Sequence, residues 1–363
     1  MKKHIKFLGL LAIAAVQFAC SGDDDKGTNV PQPPADDTFI RASDISYLPE
    51  MESVGTKFYN NGKEENMLTT LKNAGCNAVR IRLWKNPANG RSGMAEVKAL
   101  AEKSRKAGLR VWLTVHYSDH WADPGAQTTP EEWKNLSFDQ LKTAVTTYTE
   151  TIIKEINPDI IQIGNEINSG LLWPKGHLID NEQQCISLLS AASKAVRAKA
   201  PKTKIMIHYA GINGGGTDWF FNKMKTIDYD YIGLSYYPIH HGKDLTEVAS
   251  TIDALGEKYG KKVVIAETSY PFTFLYNDFT NNIIGNNTQI IPEFPATPAG
   301  QKAFVLAVRA SVEASAHGQG FAYWGGEWVA FRGKQSAFGS TYENQALYSF
   351  DNNALSVMQA FAK

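Results

Sequence analysis

Eight times between residues 39 and 324 a short apolar run gives way to a helical pattern or a long loop, and that repeat constrains the fold more than any other feature. The apolar runs are Phe39 to Ser46, Asn77 to Trp84, Arg110 to His116, Ile160 to Glu166, Lys204 to Tyr209, Tyr231 to Tyr237, Lys262 to Glu267 and Gly320 to Trp324. Helical periodicity fills the intervals at Asn66 to Ala74, Met94 to Ala107, Glu182 to Ala200, Trp219 to Met224, Leu245 to Tyr259 and Gly300 to Ala316. Leu141, Val145, Tyr148, Ile152 and Ile156 recur at steps of three and four, which marks a further amphipathic helix ended by Pro158. For the eighth helix only Ala354 to Ala362 is left. Strictly alternating strands and helices build a parallel sheet, and eight of them predict a (β/α)8 TIM barrel of the α/β class, one domain over residues 38–363. The rival is an open doubly wound sheet, whose signature is a Gly-rich phosphate turn after the first strand. None is there; Gly214-Gly215-Gly216 follows the fifth strand without a Lys-Ser/Thr partner and reads as a loop.

Composition agrees with a barrel. The chain has 363 residues, 43% apolar and 20% charged, which excludes a disordered chain. Basic and acidic residues balance at 37 each, so there is no field to attract nucleic acid. Cys76 and Cys185 lie in apolar-periodic segments and read as buried thiols. With Cys20 they make neither a disulfide framework nor a metal-ligand spacing.

The first residues read as an address. Lys2, Lys3 and Lys6 precede an apolar run from Phe7 to Val16, closed by Ala19-Cys20. This is a secretory signal, too short to span a bilayer. A Cys behind a small residue there resembles a lipoprotein cleavage site, with Cys20 lipidated; the alternative is ordinary secretion with an incidental Cys. Ser21-Gly22-Asp23-Asp24-Asp25 resembles the acidic signal that sends lipoproteins of Bacteroides-type bacteria to the outer cell surface, or it is a plain solvated tether. With Pro31, Pro33 and Pro34 it gives a tether over residues 20–37 behind a signal over residues 1–19. Losing the three Lys of the signal leaves 34 basic against 37 acidic residues.

A barrel of this kind carries its site at the C-terminal ends of its strands. Strand one ends near Asp44, strand two carries Arg80 and Arg82 and ends at Trp84, and strand three ends at His116-Tyr117. Strand four ends at Asn165-Glu166, strand six at Tyr236-Tyr237, strand seven at Glu267 and strand eight at Trp324. By alternation Ile160, Gln162, Gly164 and Glu166 share a face, as do Val263, Ile265 and Glu267. Strands four and seven face each other across an eight-strand mouth. Two inward Glu there can flank one bond, one protonating a leaving oxygen while the other attacks or activates water, the pattern of glycoside hydrolysis. No Ser-His-Asp arrangement is legible. His116 and His120, or the loop pair His240-His241, lack the acidic partners of a zinc site, and no metal is assigned.

These residues lie in longer runs. They are Asp44-Ile45-Ser46, Val79-Arg80-Ile81-Arg82-Leu83-Trp84 with Asn86-Pro87, His116-Tyr117-Ser118-Asp119 with Trp121-Ala122-Asp123-Pro124-Gly125, Gln162-Ile163-Gly164-Asn165-Glu166-Ile167-Asn168, Leu234-Ser235-Tyr236-Tyr237-Pro238 and Glu267-Thr268-Ser269-Tyr270-Pro271. Together they resemble glycoside hydrolase family 53 of clan A, the endo-β-1,4-galactanases, from about residue 39 to the C-terminus. The resemblance implies a retaining enzyme that cuts β-1,4-galactosidic bonds in galactan and type I arabinogalactan of pectin; with the N-terminal address, the expectation is a monomer anchored to the outer membrane and exposed at the cell surface. It implies Glu166 as general acid/base and Glu267 as nucleophile, with carboxyl groups about 5–5.5 Å apart. Asn165 binds the sugar 2-hydroxyl, Trp324 floors the subsite at the scissile bond, and His116, Arg82 and Tyr237 orient carboxylates and sugar. Asp44, Trp84 and Asn168 complete the expected substrate-binding set.

Arg82 and the Tyr237 hydroxyl are then expected to hold the Glu267 carboxyl low, while the charge of Glu267 raises that of Glu166. Trp84, Trp121, Trp133, Trp173 and Trp328 are candidate sugar platforms, and Trp112 is core. Some bacterial relatives carry calcium in the loop after strand seven. Here Phe272 to Asn287 offers Asn277 and Asp278 without a run of ligands, so no cofactor is assigned, with a structural calcium held by loop carbonyls as the alternative. The alternatives are another clan A β-1,4-glycanase of mannanase or cellulase type, or a non-catalytic surface glycan-binding lipoprotein, whose mark would be a lost carboxylate.

Overall fold

The computed structural model describes residues 38–363, so the signal, Cys20 and the tether lie outside the described residues. Eight parallel strands close into a barrel: β1 (Ile40–Asp44), β2 (Ala78–Leu83), β3 (Arg110–Val115), β4 (Ile160–Ile163), β5 (Lys204–Ala210), β6 (Tyr231–Ser235), β7 (Lys262–Thr268) and β8 (Gly318–Tyr323). Each pairs with its sequence neighbours, and β1 closes the ring against β8. The predicted TIM barrel is the observed one.

The helices form where periodicity and caps place them. Phe138–Ile156 starts with a capping box between Ser137 and Gln140, buries Leu141, Val145, Tyr148, Ile152 and Ile156, and stops at left-handed Asn157. Gly75 ends Met67–Ala74 at φ 107°, and a Cβ there would lie 2.2 Å from the Phe361 carbonyl oxygen, so only glycine fits. Two sequence expectations change. Gly214-Gly215-Gly216 is the first turn of the helix Gly214–Met224, because the Asn213 side chain caps the Gly215 and Gly216 amides. The eighth helix shortens to a 3-10 turn, Ser356–Phe361. Cys76 and Cys185 are buried and unpaired, with burial pushing both thiols up.

What positions the site is the barrel interior. Its lower half is apolar: Ile40, Ala42, Ala78, Trp112, Ile160, Met206, Tyr231, Val264, Ala266 and Ala322 form one cluster. One to four residues further along the same strands, the inward side chains become Asp44, Arg80, Gln162, His208, Ser235 and Glu267, all buried. The greasy floor denies these polar groups water from below, so they must satisfy one another.

Candidate active site

Arg80 is the hub of this polar layer. Its Nη1 donates to Asp44 Oδ2 at 2.8 Å, and its Nη2 donates to Glu267 Oε1 at 2.6 Å and to Asn165 Oδ1 at 2.9 Å. Two carboxylates raise the guanidinium further, so it stays charged in spite of its burial. Asp44 in turn accepts from the Ser46 amide and hydroxyl on its other oxygen.

Glu267 reaches the interior through an irregularity. By plain alternation Val264 and Ala266 point inward and Val263 and Ile265 pack outward, contrary to the face expected from the sequence. The register of β7 shifts against both neighbours beside Ala266: Leu234 pairs Ile265 but Ser235 pairs Glu267. The extra residue turns Glu267 onto the Arg80 side. Its second oxygen accepts from the Tyr237 hydroxyl at 3.0 Å. Burial pushes this carboxyl up, and Arg80 and Tyr237 pull it back; the donors offset desolvation rather than holding the group low.

Glu166 sits at another irregularity. β4 ends at Ile163, short of the expected Glu166, because Gly164 takes φ 91° and Glu166 itself φ 49°. A Cβ on residue 164 would lie 2.6 Å from Ile167 Cγ2. This left-handed step is strained for a glutamate and aims its side chain at the mouth. Its Oε1 accepts from Ser235 Oγ at 2.6 Å. Desolvation first, then the charge of Glu267, raises its carboxyl to about 8. Oxygens of Glu166 and Glu267 lie within 4.8 Å of each other.

Above the carboxyls opens a cavity of about 510 Å³, lined by both Glu, Asn165, Tyr237 and an aromatic wall. Tyr47 stacks on Trp328 at 4.0 Å between ring centroids, Trp328 stacks on Tyr342, and Trp324 packs edge-on against both Trp328 and Tyr342. Such flat walls suit the apolar faces of a sugar chain.

Of the residues expected from the sequence, Glu166, Glu267, Asn165, Tyr237 and Trp324 meet in this cavity. Others stand behind it. Arg82 does not touch Glu267, a correction to the expected role, which Arg80 fills instead. Its Nε donates to Ser92, and its guanidinium lies 4.3–4.6 Å from the rings of Tyr47, Trp84 and Trp121. His116 reaches neither carboxylate nor cavity: its Nδ1 accepts from the Ala122 amide and the Trp84 indole, and burial keeps it neutral. Trp84 thus backs Trp121, which lines the cavity. Asn168 spends both ends of its amide on Ala210, and Asp44 serves Arg80. Trp133 is buried and carries no platform, Trp112 is core as expected, and Trp173 lies outside the cavity lining. Tyr47, Tyr342, His240, His241 and Ile283 line the cavity unannounced.

Glu166, His208 and Glu267 approach closely enough for a metal, but Glu267 is engaged by Arg80 and Tyr237, His208 at both nitrogens and Glu166 Oε1 by Ser235, which leaves only Glu166 Oε2 to offer. Beside the cavity, the loop after β7 differs from its sequence reading. Asp278 Oδ2, Asn282 Oδ1, Glu343 Oε2 and Asn344 Oδ1 are buried without a hydrogen-bond partner, and Glu343 lies close enough to Asp278 for their charges to interact. Orphaned oxygens from two loops fit a hard cation such as calcium. Asn277 braces the cluster, its backbone amide donating to Glu343 Oε1 and its side-chain amide to the Phe350 carbonyl.

A closed parallel barrel with two facing carboxylates under an aromatic wall defines a barrel-type glycoside hydrolase. Residues 40–361 match the model of glycosyl hydrolase family 53. The chain is 33% identical to the arabinogalactan endo-β-1,4-galactanase of Cellvibrio japonicus over 98% of its own length and 96% of that protein, and 31% identical to the endo-β-1,4-galactanase of Bacillus subtilis over 99% and 97%. Among solved structures, the family 53 catalytic domain of Ignisphaera aggregans superposes with a TM-score of 0.84 at 34% identity, covering 92% of this chain and 97% of that one. This chain belongs to glycosyl hydrolase family 53.

Proposed function

We propose that this enzyme is a retaining endo-β-1,4-galactanase acting on galactan and arabinogalactan chains. One observation carries the mechanism: two carboxyls that bring an oxygen each within 4.8 Å of the other hold opposite surroundings, Glu267 against Arg80 and Tyr237, Glu166 against a single hydroxyl. So close an approach of two oxygens suits the ~5–5.5 Å carboxyl separation of retaining enzymes better than the ~6.5–9.5 Å of inverting ones. The substrate class is supported by the relatives named for it.

Glu267, ionised by Arg80, attacks the anomeric carbon. The glycosidic bond breaks, and the departing oxygen takes the proton of Glu166. Forming the ester removes the negative charge of Glu267, which lowers the affinity of Glu166 for protons. Glu166 then draws a proton from water, the water oxygen attacks the anomeric carbon, and the Glu267 carboxylate leaves. Asn165, held by Arg80 and Ala122, faces the sugar, and Trp324 floors it.

The test is release of reducing ends from a panel of purified polysaccharides. Galactan should yield oligosaccharides while mannan and cellulose yield none, and Glu166→Gln and Glu267→Gln should each lower turnover by several orders of magnitude while binding persists. Equal cleavage of mannan or cellulose would point to another β-1,4-glycanase.

We further propose that residues 1–19 are removed as a lipoprotein signal, that Cys20 is lipidated, and that residues 20–37 tether a monomeric catalytic domain, residues 38–363, to the outer cell surface. The Lys-rich start, the apolar run and the acidic stretch behind Cys20 support this. Labelled palmitate should enter the wild type but not Cys20→Ala, and external protease should release the domain from intact cells.

A further inference from the structure

The acid/base carboxyl ends a hydrogen-bond chain whose direction the structure fixes. Gln162 Oε1 faces Arg80 Nε and Nη2, both at 3.4 Å, and Thr114 Oγ1 at 3.3 Å. Arg80 only donates, so the Gln162 oxygen points at it and the NH2 group points away. That NH2 lies 2.9 Å from His208 Nδ1, and the Glu166 amide donates to the same nitrogen at 3.3 Å. With two donors aimed at it, Nδ1 is an acceptor and the imidazole proton resides on Nε2. Burial and the charge of Arg80 keep the ring neutral. Nε2 then donates to Ser235 Oγ at 2.9 Å, and the Ser235 hydroxyl proton is left for Glu166 Oε1 at 2.6 Å. Among the described residues Glu166 Oε2 has no hydrogen-bond partner, and it is not one of the sealed unpartnered atoms, so it is the oxygen open to the cavity.

We propose that Ser235, oriented by His208 and Gln162, is a positioning residue that keeps the transferable proton of Glu166 on Oε2, facing the leaving oxygen and later the water. This rests on the assignment of Glu166 as acid/base. A carboxyl whose Oε1 already accepts from Ser235 carries its own proton on the other oxygen. When the group is ionised, the same hydroxyl stays on Oε1 and leaves Oε2 free to act as base. The chain also sets the alkaline limit of activity, because a donor to Oε1 favours the carboxylate. The other charged or titratable groups facing Glu166 are Glu267, Arg80, Asp123, His208, Tyr237 and Tyr342, and none of them donates to Oε1.

The experiment compares wild type with Ser235→Ala and Ser235→Thr on galactan and on a dinitrophenyl β-1,4-galactobioside, whose leaving group needs no proton. In Ser235→Ala, kcat/KM on galactan should fall about ten- to a hundredfold. The loss on the activated aryl substrate should be at least tenfold smaller, and the alkaline limb of the galactan profile should move to higher pH. Ser235→Thr should restore the limb. Equal losses on both substrates, or an unmoved limb, would overturn the proposal. A wild type that cleaves neither substrate would instead overturn the acid/base assignment beneath it. Nitrogen-15 spectra of the unaltered enzyme give an independent reading: His208 should be neutral with its proton on Nε2 from pH 5 to 9, and a proton on Nδ1 contradicts the chain.

Discussion

Arg80 places Nη2 2.6 Å from Glu267 Oε1 while Nη1 holds Asp44 at 2.8 Å, so one buried cation balances two buried carboxylates. Removing it leaves both acids charged and unpaired, or forces them to take up protons. Arg80→Met should cost about 3–5 kcal/mol of stability, measured by chemical denaturation. It should also lower kcat by about 10²–10³. Arg82 supports rings instead, so Arg82→Met should raise KM and keep kcat within about tenfold. If the two variants exchanged these phenotypes, the nucleophile would have a different support.

The pH profile of kcat/KM should be bell-shaped, its limbs belonging to the carboxyl pair. The acid must hold its proton, so activity declines as pH rises past about 8, where Glu166 releases it. The nucleophile must be ionised, so activity also declines in acid as Glu267 protonates. Rate measurements from pH 4 to 10 check both limbs; a plateau extending well past 8 contradicts the assignment of Glu166.

The same group makes stability depend on pH. Glu166 has an ordinary carboxyl value of 4.5 when unfolded and about 8 when folded. Between those values the folded chain holds a proton that the unfolded chain has released, so stability falls as pH rises through that window. Buried Glu327, also raised to about 8 by desolvation, adds to the slope. Glu166→Gln removes its share. Its Tm should therefore exceed that of wild type by more at pH 8 than at pH 5, with activity lost. An equal difference at both pH values contradicts the raised acid.

Trp328 stacks on both Tyr47 and Tyr342, which fixes the ring and holds its uncovered edge in the cavity wall. Trp328→Ala should raise KM for galactan about tenfold and change kcat little. A fall in kcat with unchanged KM would place the ring in the chemistry instead.

The orphaned oxygens of Asp278, Asn282, Glu343 and Asn344 predict a stabilising cation. Millimolar Ca²⁺ should raise the Tm of chelator-treated wild type and leave Asp278→Asn unchanged. No shift in wild type would mean that protons, not calcium, satisfy the cluster.

The barrel was legible because each of its strands and helices repeats a short-range pattern of burial. Glu166 and Glu267 were legible, and so was their course toward the mouth, but not the backbone that produces it. Gly164 and Glu166 leave the strand conformation, and the register shift beside Ala266 inverts the face of Glu267. Both departures come from the packing of neighbouring strands. Arg80 and Arg82 share a face of β2, and only depth in the barrel assigns one to the nucleophile and the other to the rings. The cation-like cluster joins Asp278 to Glu343, sixty-five positions apart, and no local spacing announces it. His116 and Asn168 resemble binding residues in sequence, yet His116 Nδ1 is taken by Trp84 and Ala122, and both ends of the Asn168 amide by Ala210.

Covalent trapping tests the central claim most directly. A 2-deoxy-2-fluoro galactobioside with a dinitrophenyl leaving group should glycosylate the enzyme and stall, because the fluorine slows both formation and hydrolysis of the glycosyl ester while the dinitrophenolate keeps formation fast. Mass spectrometry of the digested protein should find the added disaccharide on the peptide bearing Glu267. Label on Glu166 or another residue, or no adduct together with products of inverted anomeric configuration, would contradict it.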